Sequence, residues 1–435
     1  MESQKIQGKP EIEKPKKWLQ KLKDESWEAE LLVSAIAIFG IFQLFKVIDW
    51  STNKFIDILP PSQYMIGYSI VFIGLLAISI LVSMFVIHFF LRAYWIGLVG
   101  LNSVFPDYSL KDSAYSEIYT EKLIEILPKL KDSIQKVDEL CSVIFSAAFT
   151  ILLLYLYMAL LASVYLFLFN LLSEYIPYYF LLIPLAILVI AYILQMIISV
   201  IANIKAYKQN KVIQTLYFKI VKIASLLMFG PLYKSILQIS MIFGSNFKKK
   251  KGLIALIVIF LFSGIFIALF QISNTNILYL VTKEVYFDKT EIYAGYYTTE
   301  NQHMNFLLAP EITSDIVTSK TLKLFIPIFS HEEKMRQNSC GTYKENPDKS
   351  KLEQRKERRS RLLDCYKKYH QVFLNNEKIA PDYMRYYHPR THQFGIVCYI
   401  NLSDANKGKN ILMVKKEYGN GNTTEWPISF QYVPQ

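Results

Sequence analysis

Five long apolar stretches constrain what this chain can fold into more than any other feature. They cover residues 31–49, 64–91, 141–172, 178–203 and 252–272. A helix needs about 20 apolar residues to cross the hydrocarbon core of a bilayer, and each stretch is about that long or longer. The composition agrees, because 52% of the 435 residues are hydrophobic, whereas soluble domains average about 45–50% apolar. We therefore expect an α-helical multi-pass membrane bundle with five spans.

The connections between these stretches alternate in positive charge. Lys and Arg number seven in residues 1–30 and one in 50–63, then six in 92–140, none in 173–177 and ten in 204–251. Cytoplasmic connections are the Lys- and Arg-rich ones. This pattern predicts a cytoplasmic N-terminus and places residues 273–435 outside, which in a bacterium means an inner-membrane protein with a periplasmic domain.

The net charge of +12 does not indicate a nucleic-acid partner. Much of the positive charge lies in residues 204–251, which contain no acidic residue and are bounded by apolar stretches. Flanking lysines of this kind set membrane topology and bind anionic lipid headgroups. We expect that role for the lysines that precede the last span, Lys248, Lys249, Lys250 and Lys251.

Two of the spans show helical periodicity beyond the apolar stretch. Apolar residues recur at alternating steps of three and four in residues 123–140 and again in 204–229, which is the spacing of a coiled-coil seam. Because the turn at 173–177 is short, the two extensions are predicted to pair as an antiparallel coiled-coil-like stalk in the cytoplasm. The alternative is that each lies flat on the membrane. Residues 223–243 could form a sixth span. Because Lys234 and a Gly230–Pro231 break interrupt them, residues 231–247 are instead predicted to be an interfacial or shallow re-entrant element.

Residues 273–435 have a different pattern, with short alternating runs typical of half-buried strands. Predicted strands cover 277–287, 290–298, 321–329, 394–402, 410–418 and 426–433, with the sequence GNGN (419–422) as a hairpin turn. These indicate an antiparallel β-sandwich, interrupted by a basic helix over 350–374. Cys340 and Cys365 would both lie in an oxidising compartment, where a disulfide between them is plausible.

Two carboxylates, Glu28 and Glu30, stand directly before the first span. In the predicted topology the second span runs the opposite way, so Arg92 emerges at the same membrane surface. We therefore expect an ion pair between Arg92 and one of these glutamates, which would join the first two helices. The alternative is that both glutamates remain hydrated among the headgroups.

No catalytic, phosphate-binding or metal-binding motif of the common classes occurs in the sequence. We therefore expect neither an enzyme nor a cofactor or metal site. The polar residues of interest inside the spans are Gln43, His88 and Gln195. The favoured interpretation is a non-catalytic scaffold or sensor that binds a ligand or periplasmic partner through its β domain. The alternative is an oligomeric channel for ions or small solutes, whose pore would be lined by polar residues such as Ser79, Ser83, Gln195 and Gln43.

Overall fold

The computed structural model describes residues 17–105, 114–172, 175–246, 250–282, 293–300, 304–341, 350–417 and 423–434. The chain divides into two compact units. The helical unit comprises Met1–Val47 and Ile73–Gln271, and the β unit comprises Ile48–Phe72 and Ile272–Gln435. The first two helices therefore contribute residues to both units.

Eight α-helices are described up to residue 272. They are α1 (Lys17–Ile58), α2 (Tyr64–Val104), α3 (Glu117–Ile126), α4 (Leu130–Leu172), α5 (Tyr178–Asn203), α6 (Lys211–Phe229), α7 (Tyr233–Asn246) and α8 (Lys250–Ile272).

Within the described residues, six helices are long and apolar enough to cross a membrane, one more than the sequence predicts. They are Trp27–Ile58, Pro61–Val104, Glu117–Phe169, Tyr179–Asn203, Lys211–Ile242 and Ile254–Ile272. The additional one corresponds to α6 and α7, which a glycine–proline break at Gly230 separates. Five of the six overlap the stretches predicted from the sequence.

Side-chain contacts fix the directions of four helices in the helical unit. Glu30 and Ser34 of α1 contact Arg92 and His88 of α2, so these helices are antiparallel. Helix α4 is also antiparallel to α2, because Asp138 contacts Arg92 while Phe149 packs on Phe85 farther along.

Helix α8 is the third helix that runs antiparallel to α2. Ser263 is hydrogen-bonded to Ser83, and Gly264 packs directly on the backbone of Ile80. Asn276, which follows α8 closely, donates to Asn53 near the end of α1 that is remote from Glu30. Helix α8 therefore begins at the end of the bundle where Arg92 lies.

The predicted stalk is wrong in its second arm, because α5 does not continue past Asn203. The chain turns over residues 204–210, and the Asn210 side chain caps α6 by accepting hydrogen bonds from two backbone amides. Helix α6 then packs back along α5, where Gln214 donates to the Ala202 carbonyl and Ser199 contacts Tyr217. The apolar residues that recur at heptad spacing in 204–229 thus pack against α5. The first arm is also interrupted, since α3 ends at Ile126 and α4 begins at Leu130.

Helices α6 and α8 begin at the same end of the bundle. Helix α5 runs back from the α4–α5 turn toward the end where Arg92 lies, and α8 starts again from that end. The break between α6 and α7 contains Gly230, whose φ of 49° is unfavourable for other residues. Tyr157 of α4 occupies the space where a Cβ on Gly230 would lie. The break is therefore held inside the bundle, far from the Arg92 end.

The described part of the β unit contains nine strands and three further α-helices. They are α9 (Tyr279–Thr282), β1 (Glu311–Ile312), β2 (Ile316–Val317), β3 (Thr321–Pro327), α10 (Glu332–Cys340), α11 (Lys351–Tyr369), β4 (His370–Leu374), β5 (Glu377–Ile379), β6 (Met384–Tyr387), β7 (Phe394–Asn401), β8 (Gly408–Glu417) and β9 (Thr423–Tyr432).

The strands form two sheets that share one hydrophobic core. One sheet has the order β1-β3-β7-β6 and the other β2-β9-β8-β4-β5. Leu324 and Ile396 of the first sheet are buried in the same cluster as Val372, Leu412 and Ile428 of the second. The β-rich, largely antiparallel character predicted from the sequence is confirmed. One pair departs from it, because β2 lies parallel to β9.

The strand predictions are correct for β3, β7, β8 and β9 and wrong at the start of the unit. Residues 276–282 are helical, and residues 294–296 form a 3-10 turn, with only a single bridge from Tyr297 to Ile312 nearby. The predicted helix over 350–374 ends at Tyr369, and its last five residues form β4. The rest of the predicted 277–287 and 290–298 strands, and the GNGN turn, lie outside the described residues.

Cys340 and Cys365 form a disulfide that joins the end of α10 to α11. Their sequence separation is 25 residues, so the bond shortens a sizeable loop in the unfolded chain. Cys141 and Cys398 are both free and buried.

Replacing both Cys340 and Cys365 by serine is expected to lower the free energy of unfolding of the β unit by about 2–4 kcal/mol, because the unfolded chain regains loop entropy. Denaturant titration of the full chain, followed by alkylation of the buried Cys398, measures this loss. Reductant should produce the same loss in the native protein and none in the double variant. An unchanged midpoint after reduction would contradict the expectation.

Candidate functional site

Arg92 is the centre of a buried charge cluster in the helical unit. Its side chain is 2% exposed and donates to Glu30 of α1 at 2.8 Å and to Asp138 of α4 at 2.6 Å. One guanidinium fork thereby joins three helices, which a lysine could not do with the same geometry. We call Glu30, Ser34, His88, Arg92 and Asp138 the Arg92 cluster.

His88 completes this cluster one turn before Arg92. Its Nδ1 lies 2.8 Å from the Ser34 hydroxyl, and its Nε2 lies 4.0 Å from a Glu30 carboxylate oxygen. The ring also packs on Phe145 of α4. With His88 neutral, two carboxylates and one guanidinium give the cluster a net charge of −1.

The other residues singled out from the sequence do not join it. Glu28 is exposed, and no ion pair involves it within the described residues. Gln43 is exposed and Gln195 is half-buried, and no hydrogen bond links either of them to His88 in the part of the chain described above. Lys250 and Lys251 open α8, whereas Lys248 and Lys249 lie outside the described residues.

A cleft opens beside the Arg92 cluster, between the end of α2 and the beginning of α4. Its volume is about 350 Å³, and its walls include Trp95, Val99, Asn102, Lys131, Ile134 and Asp138. Trp95 packs against Trp27 and beneath the Arg92 guanidinium. We call this space the α2–α4 cleft.

A second buried charge cluster lies in the β unit. Lys416 and Glu332 are 1% and 2% exposed, and Lys416 Nζ lies 2.5 Å from Glu332 Oε1. The same carboxylate oxygen accepts the Phe329 amide at 3.1 Å. Burial lowers the pKa of Lys416, and the Glu332 carboxylate opposes that shift. A charged pair is therefore enclosed at one end of the sandwich core.

His370 stands opposite Lys416 across the β4–β8 pair. Its Nδ1 lies 3.0 Å from the Tyr366 carbonyl, which assigns the proton to that nitrogen. Burial, together with the Lys416 charge, holds the pKa of His370 well below its usual value of 6.5. The ring is accordingly neutral at pH 7. We call Glu332, His370 and Lys416 the Lys416 cluster.

A third charged group occupies the other sheet. Glu311 of β1 binds His388 Nε2 at 2.9 Å and Arg390 at 2.6 Å. Both partners belong to the loop between β6 and β7, where three residues separate two histidines in the sequence. His392, the second histidine, adopts a positive φ of 56° and shapes the turn. Among the described residues, no group of three or more His, Cys, Asp or Glu side chains could hold a metal ion.

The end of α1 is bound firmly within the β unit. The Asp57 carboxylate accepts the Ser330 amide at 2.8 Å and the Ser330 hydroxyl at 3.0 Å. The Asp57 carbonyl accepts the His331 amide at 2.9 Å. Asn276 donates to Asn53 at 2.8 Å. The last turns of α1 are thus part of the β unit.

Comparison with known proteins adds nothing to this geometry, because no family model, curated protein or solved structure matches the chain. The functional argument therefore depends on the residues themselves.

Proposed function

We propose that the chain is a non-catalytic multi-pass inner-membrane sensor or scaffold. The β unit faces the periplasm and binds a ligand or partner, and α1 relays that event to the Arg92 cluster near the cytoplasmic surface. The observation that carries this proposal is the continuity of α1. A single helix bears Asp57, which is bound within the β unit, and Glu30, which is bound to Arg92.

Residues along α1 support the membrane placement. The 19 residues from Glu30 to Asp49 rise about 28 Å, which is close to the thickness of the hydrocarbon core. Trp27 and Trp50 lie just beyond these two positions, at the levels where tryptophan is enriched in membrane proteins. The Arg92 cluster would then lie at the cytoplasmic boundary.

Helix directions support five crossings, although six helices are long enough. If α6 and α7 crossed the bilayer as one span, α8 would have to begin at the opposite end of the bundle. Its contacts with α2 instead place its beginning at the Arg92 end. We therefore propose that α6 and α7 form a broken hairpin, with Gly230 at the turn farthest from the Arg92 end. This replaces the shallow element expected at 231–247.

The proposed membrane placement also indicates which molecules the chain would contact. Lys250 and Lys251 at the start of α8, with the two lysines before them, would meet anionic headgroups. Exposed apolar side chains cover α5, including Ile187, Ile190 and Leu194. These side chains would face lipid or a second copy of the chain.

The helix break at Gly230 is also the observation that favours the alternative, an oligomeric channel. Broken helices at membrane depth are tolerated where protein buries them or where they line a water-filled cavity. A flux assay on reconstituted protein separates the two functions. Solute movement that Gln195→Leu abolishes would defeat the sensor proposal.

The relay through α1 is tested by Asp57→Ala. Removing the carboxylate removes its two hydrogen bonds with Ser330. We therefore expect local opening at the Arg92 end of α1 to become more frequent. Cys141 is fully buried one turn after Asp138 and reports this loosening as faster alkylation by a membrane-permeant maleimide. We expect the alkylation rate to increase about tenfold, which corresponds to a free energy of local opening that is lower by about 1.4 kcal/mol.

The matched control is Asp49→Ala on the same helix, since the Asp49 carboxylate is hydrogen-bonded to Asn53 within α1. Cys398 provides the internal reference, because unchanged alkylation there shows that the β unit stays folded. Equal Cys141 rates in the native protein and Asp57→Ala, with both folded, would refute the relay.

A further inference from the structure

The segment 329–332 connects the buried charges of the β unit to the end of α1. At its two ends, the Phe329 amide donates to the Glu332 carboxylate at 3.1 Å, and the same carboxylate oxygen accepts from Lys416. The two residues between them donate hydrogen bonds to Asp57 of α1. A change at the buried charges can therefore reach α1 through four consecutive residues.

His370 lies against these charges on the strand next to Lys416. The two residues are directly opposite in the antiparallel β4–β8 pair and are 2% and 1% exposed. Opposite residues of such a pair have Cβ atoms about 4.5–5.5 Å apart. Nδ1 of His370 carries a proton that it donates to the Tyr366 carbonyl at 3.0 Å, and its Nε2 has no hydrogen-bond partner among the described residues. A second proton, on Nε2, would place one buried cation beside another.

The groups around His370 oppose such a second positive charge. The rings of Tyr366 and Tyr369 pack against the imidazole on the side of α11. Glu417 binds Gln371, whose side chain points to the opposite face of the sheet. The charged and titratable groups around His370 and Tyr366 are Lys416 on β8, Glu332 and Arg336 on α10, Tyr366 and Tyr369 on α11, and Arg385 on β6. Among these groups the negative one is Glu332, whose charge Lys416 already balances.

Acid therefore acts against the closed state of the Lys416 cluster. Burial and the Lys416 charge hold the pKa of His370 well below its usual value of 6.5, and exposure to water would restore that usual value. Because the closed cluster binds the proton more weakly than the open one, its full stability is present above about pH 6.5. That stability is lost as the pH falls below this value.

We propose that the 329–332 segment is an acid-sensitive latch on α1, which opens when His370 takes up a proton from water at Nε2. The protonated ring and Lys416 would otherwise share one carboxylate in an enclosed core. Opening the cluster lets water reach both cations and moves Glu332 away from Lys416. Because the two residues bound to Asp57 immediately precede Glu332 in the chain, Asp57 loses its hydrogen bonds in the same event.

The latch deepens the function proposed above, because it makes external protons the stimulus that the β unit senses. It rests on that proposal for the side of the membrane that the β unit faces and for the relay along α1. The opening itself depends on the residues of the β unit. The latch and the relay can therefore fail separately.

Hydrogen exchange of the full chain in detergent, followed by mass spectrometry at about pH 7.5 and about pH 5, tests the latch. The rates are corrected for the intrinsic pH dependence of amide exchange. The amides of Phe329 and His331 are expected to open about thirtyfold more often at the lower pH, because the open state has the ordinary histidine pKa of about 6.5.

His370→Asn removes the titrating ring but keeps an N–H that can donate to the Tyr366 carbonyl. Its opening at the two pH values should therefore differ less than about threefold. His392→Asn is the matched control and should keep the full acid response, because His392 is exposed and asparagine tolerates its positive φ. Should His370→Asn fail to fold, His370→Phe keeps a ring and must likewise lose the acid response.

Equal opening of the native protein at the two pH values would overturn the proposal; it would mean, for example, that the Glu332 carboxylate turns to accept the new proton. An undiminished acid response in a folded His370→Asn variant would overturn it as well. At the lower pH, the 329–332 amides must also open more often than the amides of the paired residues Leu322 and Ile400 in β3 and β7. Equal opening there would show that the whole unit unfolds and that no latch exists.

Alkylation of Cys141 at the lower pH, compared between the native protein and His370→Asn, separates the latch from the relay. Faster alkylation in the native protein would support both. Equal alkylation in the two proteins, with the 329–332 segment opening as expected, would uphold the latch and refute the relay along α1.

Discussion

Arg92→Met is expected to destabilise the helical unit by about 3–5 kcal/mol. The substitution removes the only positive charge of the Arg92 cluster and leaves the carboxylates of Glu30 and Asp138 partly buried without their partner. Removing one partner of a buried ion pair costs this much because the remaining charge stays desolvated. Loss of the contact with the Trp95 ring adds to the effect.

Thermal unfolding of the full chain in detergent, followed by helical circular dichroism and by Cys141 alkylation, measures the loss. The control Lys136→Met removes an exposed charge from α4 and should change the midpoint little. A triple variant, Glu30→Gln with Arg92→Met and Asp138→Asn, should recover much of the stability because no charge is left unpaired. A native midpoint in Arg92→Met, or a triple variant as unstable as the single one, would contradict this account.

Part of the Arg92 cluster could be predicted from the sequence because it depends only on a helical hairpin. Two apolar stretches joined by a short connection must run antiparallel, which brings residues near 30 and near 92 to the same level. Asp138 could not be assigned in this way, since its contact depends on the rotation of α4 against α2. That rotation is set by packing such as Phe149 on Phe85, which periodicity does not reveal.

The stalk prediction failed for a related reason. A seam at steps of three and four shows that one face of 204–229 is apolar, but it does not identify the helix that covers this face. The turn at 204–210, with Asn210 as the capping residue, directs the seam back against α5. Similarly, the apolar run beginning at Ile277 could become a strand or a helix, because short apolar runs do not distinguish the two.

The Lys416 cluster had a signal in the sequence. Positions 410, 412, 414 and 416 are buried and alternate with exposed or half-buried positions in β8, and the first three are Asn, Leu and Val. A two-residue period therefore places Lys416 on the core face. Glu332 gives no such signal, because its position depends on how α10 closes the end of the sandwich.

Lys416→Met is expected to be the most destabilising substitution in the β unit, at about 3–5 kcal/mol. Methionine resembles the lysine stem in length and volume, so packing against Phe329 and Trp426 is largely kept. Glu332, however, would remain as a buried carboxylate without a cation, with the Phe329 amide as its hydrogen-bond donor. The loss therefore measures the unpaired charge rather than a cavity.

Lys415→Met is the matched control, because Lys415 is the preceding residue of β8 and points to the other face. Its pair with Glu425 is 3.5 Å long and about a third exposed on each side, so its loss should cost at most about 1 kcal/mol. Combining Lys416→Met with Glu332→Gln removes both charges and should recover much of the loss. Denaturant titration followed by Cys398 alkylation compares the four proteins. The account would be contradicted if Lys416→Met had the same denaturant midpoint as Lys415→Met. It would also be contradicted if adding Glu332→Gln to Lys416→Met restored no stability.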